Sequence, residues 1–210
     1  MNKANHSPEV LANHQQILER QAYLRQFGYD SAAAIQFVLG QALPLGGSVL
    51  EIGTGKGRFL VELARRAAAV TTVDIAAAEL HRARLHARYA GVEDKIQFVL
   101  GDAAHLSWPG PTFDAAVTVN AMHHMPHFHQ VLEEMLRVVV PGGKIVMADF
   151  SPRGFQMIAR AHRAEGKTHP HEHYDFGELQ RCLRERGLAT WLRKGCNQEV
   201  LAARLPVLRA

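Results

Sequence analysis

The sequence predicts an α/β fold, doubly wound about a mostly parallel sheet and entered through two helices. Three observations predict it. From Ser48 onward, short runs rich in Val and Ile alternate with stretches of helical periodicity, the pattern of crossover units. The first run, residues 49–52, ends in a turn with glycines at alternate positions, Gly53, Gly55 and Gly57, and Phe59, Leu60 and Leu63 then recur at helical spacing. Acidic residues close the next two runs, Asp74 after residues 70–73 and Asp102 just past residues 96–100.

Ser7-Pro8-Glu9 is a helix start, with a capping hydroxyl, proline in the first turn and an acid at the positive end. That helix runs to about Gln26, where Gly28 can end it. Asp30 or Ser31 caps a second helix, whose stripe is Ile35, Val38, Leu39 and Ala42. Pro44-Leu45-Gly46-Gly47 breaks the chain before the first strand. Strands are expected at 49–52, 70–73, 96–100, 113–119 and 144–150, with helices at 57–67, 77–89 and 128–138. After Phe150 a polar, histidine-rich stretch leads to a helix at 176–186, begun by Asp175 with Glu178 three residues on. Residues 188–196 and 199–205 read as two strands joined at Asn197-Gln198.

A chain of 210 residues, 47% of them hydrophobic, suffices for one α/β domain with a cap. No apolar run approaches a membrane span, and the first ten residues lack the apolar core of a signal peptide. Cys182 and Cys196 are too few for a disulfide framework, so a reduced, cytoplasmic chain is the expectation. The excess of 24 Lys+Arg over 20 Asp+Glu is small and scattered. His81, Arg82, Arg84, His86 and Arg88 share one helix, read as a solvated face; without stacking aromatics it argues against a nucleic-acid partner. Thirteen histidines make the charge sensitive to mild acidification.

The glycine turn carries most of the functional information. Its glycines permit backbone angles, and an approach to a ligand, that a Cβ forbids. A dinucleotide would set its pyrophosphate on the N–H groups of the following helix. Glu51, at the mouth of the turn, would repel that group and welcome an ammonium. The spacing is Gly-x-Gly-x-Gly, not the Gly-x-Gly-x-x-Gly of dinucleotide sites. A zwitterionic methionine moiety joined to adenosine fits both facts better. Asp74 lies 21 positions after Gly53 (74 − 53), where a carboxylate meets ribose hydroxyls, or simply caps a loop. Asp102, just past the third strand, can cap the next turn.

These residues resemble the motifs of class I S-adenosylmethionine-dependent methyltransferases. Residues 51–57 match Glu/Asp-x-Gly-x-Gly-x-Gly at every specified position, 113–120 resemble the family's fourth-strand motif, and Val140-Pro141-Gly142-Gly143-Lys144 resembles the turn before its fifth strand. The resemblance spans residues 49–150 and is greatest to the small-molecule group that includes quinone-biosynthesis enzymes. It implies a Rossmann-like, seven-stranded sheet whose final, antiparallel strand comes from the tail hairpin. It further implies a single domain over 1–210, comprising a helical cap (1–45), a cofactor core (46–150), a substrate lid (151–175) and a final helix with hairpin (176–210). For S-adenosyl-L-methionine it implies Glu51, Gly53, Thr54 and Gly55 at the methionine end, Asp74 and Ile75 at the ribose, Asp102 and Ala103 at the adenine, and Asn120 at the fourth strand's end.

Asn120-Ala121-Met122-His123 stands where enzymes acting on exocyclic amines of bases carry Asn/Asp-Pro-Pro-aromatic, which argues against that branch. His123 and His124 lie beyond a strand's carboxyl end, and one of them suits a base while the other points into the core or caps a helix. His127 and His129 read as surface. In a helix over 155–165, Phe155, Ile158, His162 and Glu165 share the inward face, making His162 and Glu165 substrate-side candidates. With His169, His171 and His173 they also form a candidate set for a divalent transition metal, the alternative being a solvated lid. Tyr23, Phe27 and Tyr29 either cover the cofactor or pack the helices together. A sulfonium already carries an activated methyl group, so no nucleophilic triad is needed. The expected function is in-line methyl transfer to a small-molecule substrate; the competing readings are an NAD(P)-dependent oxidoreductase and a metal-responsive binding protein.

Overall fold

A computed structural model of the chain describes residues 6–168 and 174–207. The strands are β1 (Ser48–Ile52), β2 (Ala69–Asp74), β3 (Ile96–Leu100), β4 (Phe113–Val119), β5 (Val139–Phe150), β6 (Ala189–Gly195) and β7 (Gln198–Arg204). They form one sheet in the order β3-β2-β1-β4-β5-β7-β6. β1 to β5 are parallel; β7 runs antiparallel between β5 and β6. The helices are α1 (Pro8–Gln26), α2 (Ser31–Ala42), α3 (Arg58–Ala64), α4 (Ala77–Ala90), α5 (Phe128–Val138), α6 (Pro152–Ala164) and α7 (Phe176–Glu185). The expected fold class is therefore the observed one.

Helices cover both faces of the sheet, which is why the central strands are apolar on both sides. Val49 packs with Leu60, Leu63 and Ala83 on one face. Leu50 and Ile52 meet Phe128, Met135 and Leu183 on the other. The chain runs outward in opposite directions from β1 and β4, so their carboxyl ends open a crevice between them, the place where such sheets bind ligands.

Local chemistry sets the element ends. Asp30, not Ser31, caps α2, its Oδ1 accepting from the N–H groups of Ala32 and Ala33. Gly57, at φ +71°, delays α3 to Arg58, and the helix ends at Ala64, shorter than expected. Ser151 accepts from Gly154 N–H and Pro152 opens α6, so this helix begins three residues before the expected Phe155. The hairpin turns one residue earlier than expected, at Cys196 and Asn197, both with positive φ (48° and 61°) as a tight two-residue hairpin demands. β5 begins at Val139, because residues 140–143 bulge between the pairs Phe113–Val139 and Ala115–Lys144. Buried Lys144 donates to the carbonyls of Ala42 and Pro44, tying the break after α2 to the sheet.

The two leading helices are bound into the domain at several places. Asn13 donates to the carbonyl of Arg82, and His14 stacks on Tyr89 with centroids 3.5 Å apart, so α1 covers part of α4. The charged face expected to be solvated is thus split: His81, Arg82, Arg84 and Arg88 are exposed, whereas His86 is drawn inward. Tyr23 donates to the carbonyl of Ala161, and Leu24, Tyr29, Phe150, Phe155 and Ile158 form a small core between α1, β5 and α6. Tyr23 and Phe27 contact each other beside this core, which makes Phe27 a packing residue. Among the described residues no helix is long and apolar enough to cross a membrane.

Candidate active site

The carboxyl ends of β1 to β4 border a hollow of about 610 Å³, lined by Gly53, Gly55, Asp74, Ile75, Asp102, Ala103, Asn120 and His124 among others. Gly53 has φ +82°, and a Cβ there would lie 2.4 Å from the Cβ of Ala121. A Cβ on Gly57 would meet Ala83 of α4 at 2.9 Å. Both positions therefore require glycine. The Gly55 N–H donates to Asp74 Oδ2 at 3.0 Å, and the Ala76 N–H to Oδ1 at 2.9 Å. Asp74 thus caps its own loop, pins the glycine turn and faces the hollow at once.

Asp102 is similarly double-sided. It lines the hollow, and its Oδ1 accepts from the Ala104 N–H at 2.9 Å while Oδ2 lies 3.2 Å from His105 Nδ1. The Ala104 N–H and then His105 hold its carboxyl below the usual carboxylate range. Ile75, 75% exposed, adds an apolar surface to the same hollow.

Glu51 departs from expectation. It does not stand at the mouth of the turn but is buried beneath it, where it accepts from the Thr72 hydroxyl at 2.6 Å. Thr54 in turn lies 2.6 Å from Thr72. Burial, with a smaller contribution from Asp74, pushes Glu51 up to about 8. The physical reason is the pleat: residue 51 shares the face of Val49, inside the helical layer, rather than continuing the strand's axis into the crevice. Burial disfavours the charged form and sets the side chain back from the crevice, so its repulsion of a pyrophosphate is weaker than its sequence position implied.

Beyond β4 the structure separates the two adjacent histidines. His124 lines the hollow, and its pKa is held down by partial burial and then by His123. His123 is 2% exposed, with its Nδ1 2.8 and 2.9 Å from the two oxygens of Asp149. The N–H groups of His123 and Phe150 also donate to that carboxylate. His123 packs among His124, Phe150 and Phe155, with ring centroids 4.1, 5.5 and 5.3 Å away. Asp149 was not singled out from the sequence; its signal was an acid inside the otherwise apolar run 145–150. His127 and His129 are exposed, His127 at the rim of the hollow.

Asn120, with φ +53°, ends β4 and lines the hollow. Its side chain lies beside the Tyr29 hydroxyl, which receives Gln198 Nε2 at 2.9 Å. Tyr29 is 1% exposed, and its burial pushes the phenol up to about 12. Tyr29 therefore buttresses the wall of the hollow without lining it.

The histidine-rich segment does not assemble as expected where it is described. α6 ends at Ala164, so Glu165 leaves the inward face and pairs with Arg20 of α1 and with Lys167. His162 stays half-buried on α6. Neither residue lines the hollow. Among the described residues no group of three or more potential ligands is placed to hold a metal. His169, His171 and His173 lie outside the described residues.

A family model described as a methyltransferase domain matches residues 49–143, the stretch that builds this hollow. The chain belongs to the class I S-adenosylmethionine-dependent methyltransferase superfamily. Among its relatives, the 27-O-demethylrifamycin SV methyltransferase of Amycolatopsis mediterranei is 34% identical over 153 residues, covering 70% of this chain and 56% of the relative. The fatty-acid O-methyltransferase of Mycolicibacterium smegmatis is 33% identical over 175 residues, 82% of this chain and 53% of the relative. The chain thus spans about half the length of these two relatives. Among solved structures, the PH0226 protein of Pyrococcus horikoshii shares the fold with a TM-score of 0.67 at 19% identity, covering 81% of this chain and 88% of that one. A [4+2]-cyclase, SpnF, shares it with a TM-score of 0.59 at 18% identity, covering 85% and 82%. Within this superfamily the glycine turn and the strand-end acids have a ready account, and nothing in the comparisons favours the oxidoreductase or metal-binding readings.

Proposed function

We propose that the chain transfers the methyl group of S-adenosylmethionine to a hydroxyl oxygen of a small-molecule acceptor, with His124 at the hollow, backed by the buried His123–Asp149 pair, handling the acceptor's proton. The residues of the hollow suit this cofactor. Gly55 lines the hollow with no protein atom within 4 Å of where its Cβ would be, Asp74 and Asp102 offer acceptors on neighbouring walls, and Asn120 Oδ1 is buried with no hydrogen-bond partner. In this reading Gly53, Thr54, Gly55 and Glu51 serve the methionine end, Asp74 and Ile75 the ribose, and Asp102 and Ala103 the adenine. When bound, S-adenosylmethionine supplies an activated methyl group and a neutral leaving group. The chain's own task is to orient the acceptor, exclude water and take a proton, and positioning alone is worth about 7–11 kcal/mol of barrier.

The observation that carries the oxygen-acceptor reading is the bond from His123 Nδ1 to Asp149. It places a buried imidazole–carboxylate pair directly behind His124, the histidine that lines the hollow, the arrangement that orients a general base. The name of one relative, 27-O-demethylrifamycin SV methyltransferase, supports an oxygen acceptor, while others are named for nitrogen or carbon. Fold by itself supports no particular chemistry, as the shared architecture of a cyclase illustrates.

The test has two stages. Calorimetry should show saturable binding of S-adenosylhomocysteine; its absence would sink the methyltransferase reading. Acceptor screening with radiolabelled S-adenosylmethionine should then favour hydroxyl compounds over their methyl ethers. Asp149→Asn and His124→Ala should each lower kcat by roughly 10²–10⁴-fold while leaving S-adenosylhomocysteine affinity alone. An unchanged kcat in both would remove the base assignment but not the cofactor assignment.

A further inference from the structure

A second hollow, of about 320 Å³, lies between α1, α2, α3 and α4 and shares no residue with the first. Its walls include Arg58, Arg65, Gln21, Gln36, His14 and His86. Methyl transfer makes no use of it. Two of its residues are poorly satisfied. Arg58 is half-buried, and its Nη1 is shut off from solvent with no hydrogen-bond partner. Glu62, on the same wall, is already engaged by Arg65, by Arg66 at 2.9 Å and by Gln36 at 3.3 Å. A guanidinium nitrogen withdrawn from water without a partner is costly, and Arg58 and Arg65 against the single Glu62 leave this wall positive.

His86 provides the opposite need. Its ring lies near the backbone carbonyls of Lys56 and Gly57, which favour the proton on the nitrogen facing them, and its Nδ1 is buried with no partner. Burial pushes its pKa down to about 4, so the imidazole stays neutral and Nδ1 stays an acceptor at physiological pH. One wall thus carries an unmatched charged donor and an unmatched neutral acceptor. A plain anion would satisfy the first and be repelled by the lone pair of the second. A neutral alcohol would do the reverse.

We propose that this hollow binds a small oxyanion that also carries an O–H group, its negative oxygens facing Arg58 and its hydroxyl facing Nδ1 of His86. Hydrogenphosphate and α-hydroxy acids share that chemistry. The acceptor nitrogen supplies selectivity, because a site built to receive a proton discriminates strongly against a ligand without one.

The experiment is calorimetry on the full chain at pH 7.5 and fixed ionic strength, with two matched pairs of probes. Phosphate is compared with sulfate, which has the same shape but no proton, and glycolate with acetate. One member with a hydroxyl should bind at a single saturable site, tighter than its partner by about tenfold or more. Arg58→Met should abolish that binding. Ala32→Leu, which fills the hollow without altering charge, should weaken it. In chloride buffer Arg58→Met should melt above the wild type, and in the binding anion below it. S-adenosylhomocysteine affinity should be kept in both variants, so failure of the active-site reading is scored separately. No saturable binding of any probe overturns the proposal. So do equal affinities within each pair that survive Arg58→Met, which would mark an adventitious ion only. Loss of S-adenosylhomocysteine binding in Arg58→Met, with anion binding intact, would reassign Arg58 to the cofactor.

Discussion

Glu51 shows what burial does to a single carboxyl. Its folded pKa of about 8 lies above the 4.5 of an unperturbed glutamate. Between those values the folded protein keeps a proton that the unfolded chain has released, so rising pH favours unfolding. Stability tied to this group is complete below pH 4.5 and lost as pH rises through 8. Melting temperatures of the cofactor-free protein measured across that window should therefore fall less steeply in Glu51→Gln than in the wild type; identical slopes would mean the buried carboxyl is not the cause. His86 works in the opposite sense. Its pKa of about 4 lies below 6.5, so its contribution is lost as pH falls through that range. Asp74 belongs at the same scale. Its carboxylate joins the glycine turn to its own loop at 3.0 and 2.9 Å, and Asp74→Ala should weaken S-adenosylhomocysteine binding by well over tenfold in a calorimetric titration.

At the scale of elements, the informative unit is strand, glycine turn and helix. The turn was legible in the sequence because glycine is needed where φ is positive, as at Gly53 and Gly57. Gly53→Ala would place its Cβ 2.4 Å from that of Ala121 and strain a φ of +82°. We expect it to lower the melting temperature and to weaken cofactor binding more than tenfold, readable from one titration series. Helix α7 was equally legible from Asp175 and Glu178. Leu183 on it is fully buried, and Leu183→Ala should cost about 2–5 kcal/mol in a denaturant unfolding curve. The end of α6 was not legible. The spacing of His162 and Glu165 placed both on the inward face, but the helix stops at Ala164 and Arg20, 145 residues away in sequence, takes the glutamate. Periodicity describes a helix only as far as the helix continues.

At the scale of the whole molecule, α1 and α6 pack together from sequence positions more than 130 residues apart. The Tyr23 hydroxyl on the Ala161 carbonyl at 2.8 Å is one fastening between them. Tyr23→Phe should cost about 1 kcal/mol, a fall of roughly 2–4 °C in melting temperature for a chain of this size. A larger fall would show that the two helices separate together. The same long-range assembly joins Tyr29 of the leading segment to Gln198 of the hairpin and to Asn120 at the crevice. The N-terminal helices therefore take part in shaping the candidate site.

The sequence alone determined the α/β class, the strand–helix repeating units and, among the residues lining the first hollow, Gly53, Gly55, Asp74, Ile75, Asp102, Ala103 and Asn120. Those depend on local periods, caps and glycine dihedrals, which neighbouring residues dictate. Only the tertiary structure decided that Glu51 sits under the turn, that His123 turns inward to Asp149 while His124 faces the hollow, and that Arg58 and His86 meet across a second hollow. Each of these is set by which side chains from distant segments exclude water around a group, and desolvation is a property of the packed whole that no spacing along the chain records.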